Sequence, residues 1–66
     1  MITKKQANEL WKQYREYSAA IRDTMLQVEY QQYSSQAELD NLLREIDDYR
    51  AGREQVYNRI QREVVI

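Results

Sequence analysis

Apolar residues recur every three to four positions along most of this chain, and the pattern changes once. Over the first segment Ala7, Leu10, Trp11, Tyr14, Ser18 and Ile21 follow i, i+3, i+4, i+7 spacing, with Lys12, Gln13, Arg15, Glu16 and Arg22 largely opposite. That spacing predicts an amphipathic helix over about residues 4–23 with Thr3 as its N-cap. Tyr17 and Ala20 widen the apolar stripe beyond a narrow seam. Leu26-Gln27-Val28-Glu29-Tyr30 then alternates apolar and polar at period two, which predicts a short extended element within residues 25–34. Ser35-Gln36-Ala37-Glu38 is an S-x-x-E capping box, so a second helix opens at residue 36. Its stripe runs through Ala37, Leu39, Leu42, Leu43, Ile46, Tyr49, Arg53, Val56, Tyr57 and Ile60. Arg53 interrupts it once and Gly52 flanks it, and the helix either ends at residue 51 with Gly52 beyond its C-cap or continues to about residue 62 at a cost of about 1 kcal/mol against Ala.

The central element has two readings on residues alone. In the first, Tyr30-Gln31-Gln32-Tyr33 is a two-residue turn that pairs the tyrosines across a minimal β-hairpin, with Val28 opposite Ser35. Such turns want Gly or Asn where φ is positive, and Gln-Gln supplies neither, so the hairpin is strained or its turn wider. In the second, Ile21, Met25, Val28 and Gln32 continue the helical spacing, residues 1–51 hold no Gly or Pro, and the chain is an all-α helical hairpin turning at Tyr33-Ser34-Ser35. Periodicity over so short a run does not separate the two.

Composition narrows the chemistry. The 66 residues make one small domain, of a size that buries only about 60% of its unfolded surface and needs a staple of some kind. With no cysteine and no histidine, disulfides, the usual zinc sites and Cys-His or Ser-His-Asp catalysis are excluded within this chain, which leaves oligomerisation. The one carboxylate cluster, Glu45, Asp47 and Asp48, diverges around a helix and suits neither acid–base work nor a cation cage, so no enzyme activity, metal or cofactor is expected. No apolar run approaches the roughly 20 residues of a membrane span, and no signal peptide opens the chain, so an intracellular, non-secreted protein without a membrane partner is expected.

Net charge is −1, but the charges are unevenly spread. Lys4, Lys5, Lys12, Arg15 and Arg22 outnumber the acids of the first helix; Glu38, Asp40, Glu45, Asp47 and Asp48 dominate the start of the second; Arg50, Arg53, Arg59 and Arg62 dominate its end. Acid first and base last suits the macrodipole of the second helix, and Asp40–Arg44 and Asp47–Arg50 are spaced for ion pairs. Antiparallel helices would also gather the basic ends into one positive end facing an acidic partner or DNA. Glu54 and Glu63 interrupt that patch, and sequence-specific nucleic-acid binding is not expected. Six tyrosines and one tryptophan without phenylalanine can close a core with wet hydroxyls or serve as interface anchors.

The order amphipathic helix, Val28-Glu29-Tyr30, Ser35-Gln36-Ala37-Glu38-Leu39, then Leu42, Leu43, Ile46, Asp47 and Tyr49 resembles the small head-completion proteins of tailed phages and prophages, the head-to-tail joining protein W family, over about residues 7–50. The resemblance implies an α+β, mainly α fold of two antiparallel helices on a minimal central β-hairpin. It also implies a connector role: a ring-forming homo-oligomer that binds portal or tail-adaptor proteins, located in the virion if the source is a phage and in the cytoplasm otherwise. The apolar end Val64-Val65-Ile66 either folds back onto the core or, as the resemblance implies, is a docking tail over residues 63–66. The expected partner-binding residues are therefore Val64, Val65, Ile66, Arg53, Arg59, Arg62, Tyr30 and Tyr33. A helical-hairpin interaction or regulatory subunit binding another helical protein is the alternative.

Overall fold

A computed structural model describes residues 2–63 as two helices, α1 (Lys4–Glu29) and α2 (Gln36–Glu63), packed antiparallel. The described residues contain no strand, so the all-α helical hairpin is the fold and the α+β expectation is corrected. Thr3 caps α1 with a complete capping box: its hydroxyl accepts from the Gln6 amide at 3.1 Å, and the Gln6 side chain accepts from the Thr3 amide at 3.0 Å. At the start of α2 the Glu38 amide donates to Ser35 Oγ at 3.2 Å, as the S-x-x-E spacing predicts. The reciprocal half is displaced by one residue. The Glu38 carboxylate accepts from the amide and hydroxyl of Ser34, at 2.8 and 2.9 Å, instead of from Ser35.

The expected extended element is the last turn of α1. The alternation at Leu26, Val28 and Tyr30 arises because only Val28 turns inward; Leu26 and Tyr30 lie on the outer faces, and Tyr30 is 69% exposed. At 100° per residue Val28 continues the stripe of Ile21 and Thr24, and no Gly or Pro stops the propagating hydrogen bonds. The helix ends when Gln31 adopts φ 55°, the only positive φ of a non-glycine residue among the described residues. The amide of Gln32 then donates to the Gln27 carbonyl at 2.8 Å and that of Gln31 to the Val28 carbonyl at 3.1 Å, a Schellman motif. The missing glycine that argued against a tight hairpin turn is thus also missing from the position where such helix ends usually hold it.

Between the helices the packing follows a heptad. Leu10, Tyr14, Tyr17, Ile21, Thr24 and Val28 on α1, and Leu39, Leu42, Ile46, Tyr49, Arg53, Val56 and Ile60 on α2, alternate steps of three and four, the 3.5-residue period of a coiled-coil seam. Leu10, Ile21, Ile46 and Ile60 are the buried apolar residues, and Ile60 has no exposed surface. Thr24 is buried too, its hydroxyl donating to the Ala20 carbonyl at 2.8 Å. The Tyr14 and Tyr57 rings lie 6.0 Å apart and those of Tyr17 and Tyr49 6.5 Å apart, each pair bridging the two helices.

Gly52 does not end α2, which runs through it to Glu63. Its position is set by Tyr17: a Cβ there would sit 2.7 Å from two ring carbons of Tyr17 and 2.9 Å from its hydroxyl. The chain's single glycine therefore admits an aromatic ring against the backbone of the opposite helix. The hairpin is a rod, 47 × 14 × 13 Å, and its radius of gyration of 14.9 Å exceeds the roughly 11 Å of a compact chain of this length.

Candidate protein-binding surface

One side of the rod carries a second line outside the seam, apolar toward both ends and polar in the middle. Trp11, Ser18 and Met25 on α1 each follow a seam residue by one position and recur every seven residues; Leu43, Arg50 and Tyr57 do the same on α2. Near the loop end Met25 and Leu43 line one groove with Val28, Asp47 and Arg50. Toward the open end Tyr14, Arg50, Arg53, Glu54 and Tyr57 line the next depression, so Arg50 joins the two into one face. Trp11 meets the Tyr14 ring edge-on at 5.8 Å, and the Arg53 guanidinium stands 5.9 Å from the centre of the same ring. Met25 is 46% exposed, Leu43 45% and Tyr57 42%. On the other flank the equivalent positions are Gln6, Gln13, Ala20 and Gln27 against Glu38, Glu45, Gly52 and Arg59, polar or small throughout.

The expected partner-binding residues do not form one site. Tyr30 and Tyr33 lie at the loop end, Tyr33 half-buried, while Arg59 and Arg62 lie at the opposite end of the rod. Arg59 lies beside Ile2 and Gln6, at the end where α1 starts, as the antiparallel reading requires, but it donates to the Glu63 carboxylate at 2.9 Å. Arg53 belongs to the seam and to the face just described. Val64, Val65 and Ile66 lie outside the described residues. Sequence reasoning missed Met25, Leu43 and Trp11 as surface residues, although their seven-residue spacing beside the seam is visible in the chain.

Electrostatic chemistry on the rod is mild. Among the described residues the ion pairs are Arg22–Asp23 at 3.5 Å, with both partners exposed, and Arg59–Glu63 at 2.9 Å, with Glu63 half-buried. The spaced pairs Asp40–Arg44 and Asp47–Arg50 do not close, and Asp40 accepts from the Gln36 side chain instead. Long exposed side chains gain too little from pairing in water to fix one geometry. Glu38 is held below the usual glutamate pKa, first by the Ser34 amide and then by the Ser34 hydroxyl. Among the described residues no cluster of three acidic, histidine or cysteine side chains is arranged to hold a metal ion, and no helix is long and apolar enough to cross a membrane. No protein-family model matches the chain, and no curated protein or solved structure matches it either.

Proposed function

We propose that this hairpin is a non-enzymatic packing module that docks its Met25–Leu43–Tyr57 face onto another helical protein. The observation that carries this is the second heptad line itself. The intrachain seam consumes one stripe per helix, and a further line at coiled-coil spacing, apolar at Trp11, Met25, Leu43 and Tyr57 and polar at Ser18 and Arg50, has the form that seats additional helices in a bundle. Aromatic side chains and arginine, which concentrate binding energy at interfaces, flank it in Trp11, Tyr57, Arg50 and Arg53. The shallow, open surfaces and the divergence of Glu45, Asp47 and Asp48 favour binding over catalysis.

The head-completion resemblance carries a narrower version, in which the helical partner is a portal or tail-adaptor ring and the chain is a virion component. Its distinguishing strand at Val28–Tyr30 is helix and turn here, so the broader reading stands ahead of it.

Hydroxyl-radical footprinting tests the docking face without knowledge of the partner. Met25 and Tyr57 are expected to react readily in dilute purified protein and to be protected in the native cell, while exposed Tyr30 serves as the reactive control. Equal reactivity of Met25 in the two settings refutes the reading.

A further inference from the structure

We infer that the hairpin also opens: α1 and α2 join into one helix through the turn, and two copies of the chain exchange helices, so that α1 of each packs on α2 of the other through the seam already described. The docking face takes no part in this, because the surface that is filled is the seam itself and its established occupant is the complementary helix. Residues 30–35 contain neither Gly nor Pro. Gln31 holds a left-handed φ of 55°, which glycine adopts without steric cost, so the closed turn carries strain that a helical Gln31 releases. A short hinge under strain favours exchange of identical elements between copies.

The phase of the two helices points the same way. A turn re-aims the chain, so an antiparallel hairpin imposes no phase relation between its arms. Here one column of seam residues nevertheless keeps a strict seven-residue step across the turn: Tyr14, Ile21 and Val28 on α1, Ser35 between the helices, then Leu42, Tyr49 and Val56 on α2. The companion column shifts once, from Leu10, Tyr17 and Thr24 on α1 to Leu39, Ile46, Arg53 and Ile60 on α2. From Val28 the steps run 3, 4 and 4 through Gln31 and Ser35 to Leu39, a four-residue insertion into the heptad that coiled coils absorb by local unwinding. One continuous helix therefore carries both seams on one face, and the residues added to it, Gln31 and Ser35, are uncharged. Opening costs the contacts of Glu38 with Ser34 and Ser35, which hold the turn closed. The closed monomer accordingly prevails in dilute solution, and the exchanged dimer forms as the chain approaches the roughly millimolar effective concentration of α1 for its own α2.

Cross-link topology separates exchange from any other self-association. Tyr17→Cys with Gly52→Cys puts one thiol on each helix where the two lie against each other, in a chain with no other cysteine. Oxidation at about 1 mM is expected to close the disulfide between copies and give a covalent dimer on a non-reducing gel, whereas oxidation at about 1 µM closes it within one copy; circular dichroism checks that the variant is helical beforehand. Wild type is expected to sediment at twice the single-chain mass at about 1 mM. Gln31→Gly relaxes the closed turn and weakens the continuous helix, so it is expected to lower the association constant about tenfold or more without touching the seam. Deleting Gln31 to Ser34 removes the inserted residues, brings both columns into an unbroken heptad and leaves too little chain to turn; the product is expected to be helical and dimeric at every concentration. Wild type at single-chain mass at about 1 mM, dimers whose disulfides all close within one copy, association unchanged by Gln31→Gly, or a deletion variant without helix would each overturn the exchange.

Discussion

Gly52 and Tyr17 offer the most discriminating test of the intrachain packing. A glycine inside an α-helix ordinarily destabilises it by about 1 kcal/mol relative to Ala, so Gly52→Ala in a lone helix is stabilising. Here the new methyl would fall 2.7 Å from Tyr17 Cε1 and Cζ and 2.9 Å from its Oη, inside van der Waals contact. The ring also leans on Tyr49, its centroid 6.5 Å away, so it moves only by disturbing a second aromatic contact between the helices. Overpacking of this kind costs about 1–3 kcal/mol, which cancels or exceeds the helix gain and leaves Gly52→Ala neutral to destabilising by about 2 kcal/mol. In a Tyr17→Leu background the ring atoms are gone and the same substitution is expected to stabilise by about 1 kcal/mol. The double-mutant cycle, read from urea unfolding followed by circular dichroism at one fixed protein concentration, therefore predicts a coupling of about 1–3 kcal/mol between the two positions. A gain of about 1 kcal/mol in both backgrounds would show that Tyr17 does not press on residue 52, and the close helix approach argued from it would be wrong.

Three further outcomes follow from particular residues. Gln31→Gly relieves a left-handed conformation that costs a side-chain-bearing residue about 1–2 kcal/mol, in part offset by greater unfolded-state freedom, so a net gain of about 0.5–1 kcal/mol is expected in the urea midpoint, whereas Gln31→Val loses stability. Ile60→Ala truncates a side chain with no exposed surface and is expected to cost about 2–5 kcal/mol, seen as loss of the cooperative transition or a large drop in its midpoint. The lowered pKa of Glu38 stabilises the fold above the unfolded glutamate range, and this contribution disappears as pH falls through the lower folded value. Thermal melts of wild type and Glu38→Gln are accordingly expected to converge toward acid and diverge toward neutral pH, and parallel curves would contradict the Ser34 contacts.

Some features of the fold are legible in the chain because they are local. Thr3 and Ser35 are caps whose partners lie three residues away, and both helices show their apolar stripe at helical spacing. Other features depend on competition between local signals and were misread. The period-two run at Leu26–Tyr30 carries a strand signal, but a helix already propagating from Lys4 extends at little cost until a left-handed residue ends it. Gly52 leaves two outcomes open in the sequence, a helix that stops at residue 51 or one that runs on to about residue 62, and the second holds with the Tyr17 ring lying against it.

By itself, then, the sequence determined two capped amphipathic helices with a break between them, and the absence of any covalent or histidine-based staple. Those follow from hydrogen bonds and side-chain volumes within a few residues of one another. Only the tertiary structure decided that α1 continues to Glu29, that Tyr17 requires Gly52, and that Met25, Leu43 and Tyr57 remain half-exposed along one face. Each of these depends on which residues of the opposite helix lie alongside, and that register is fixed by the summed packing of a seam that includes the buried Leu10, Ile21, Ile46 and Ile60, not by any one local preference.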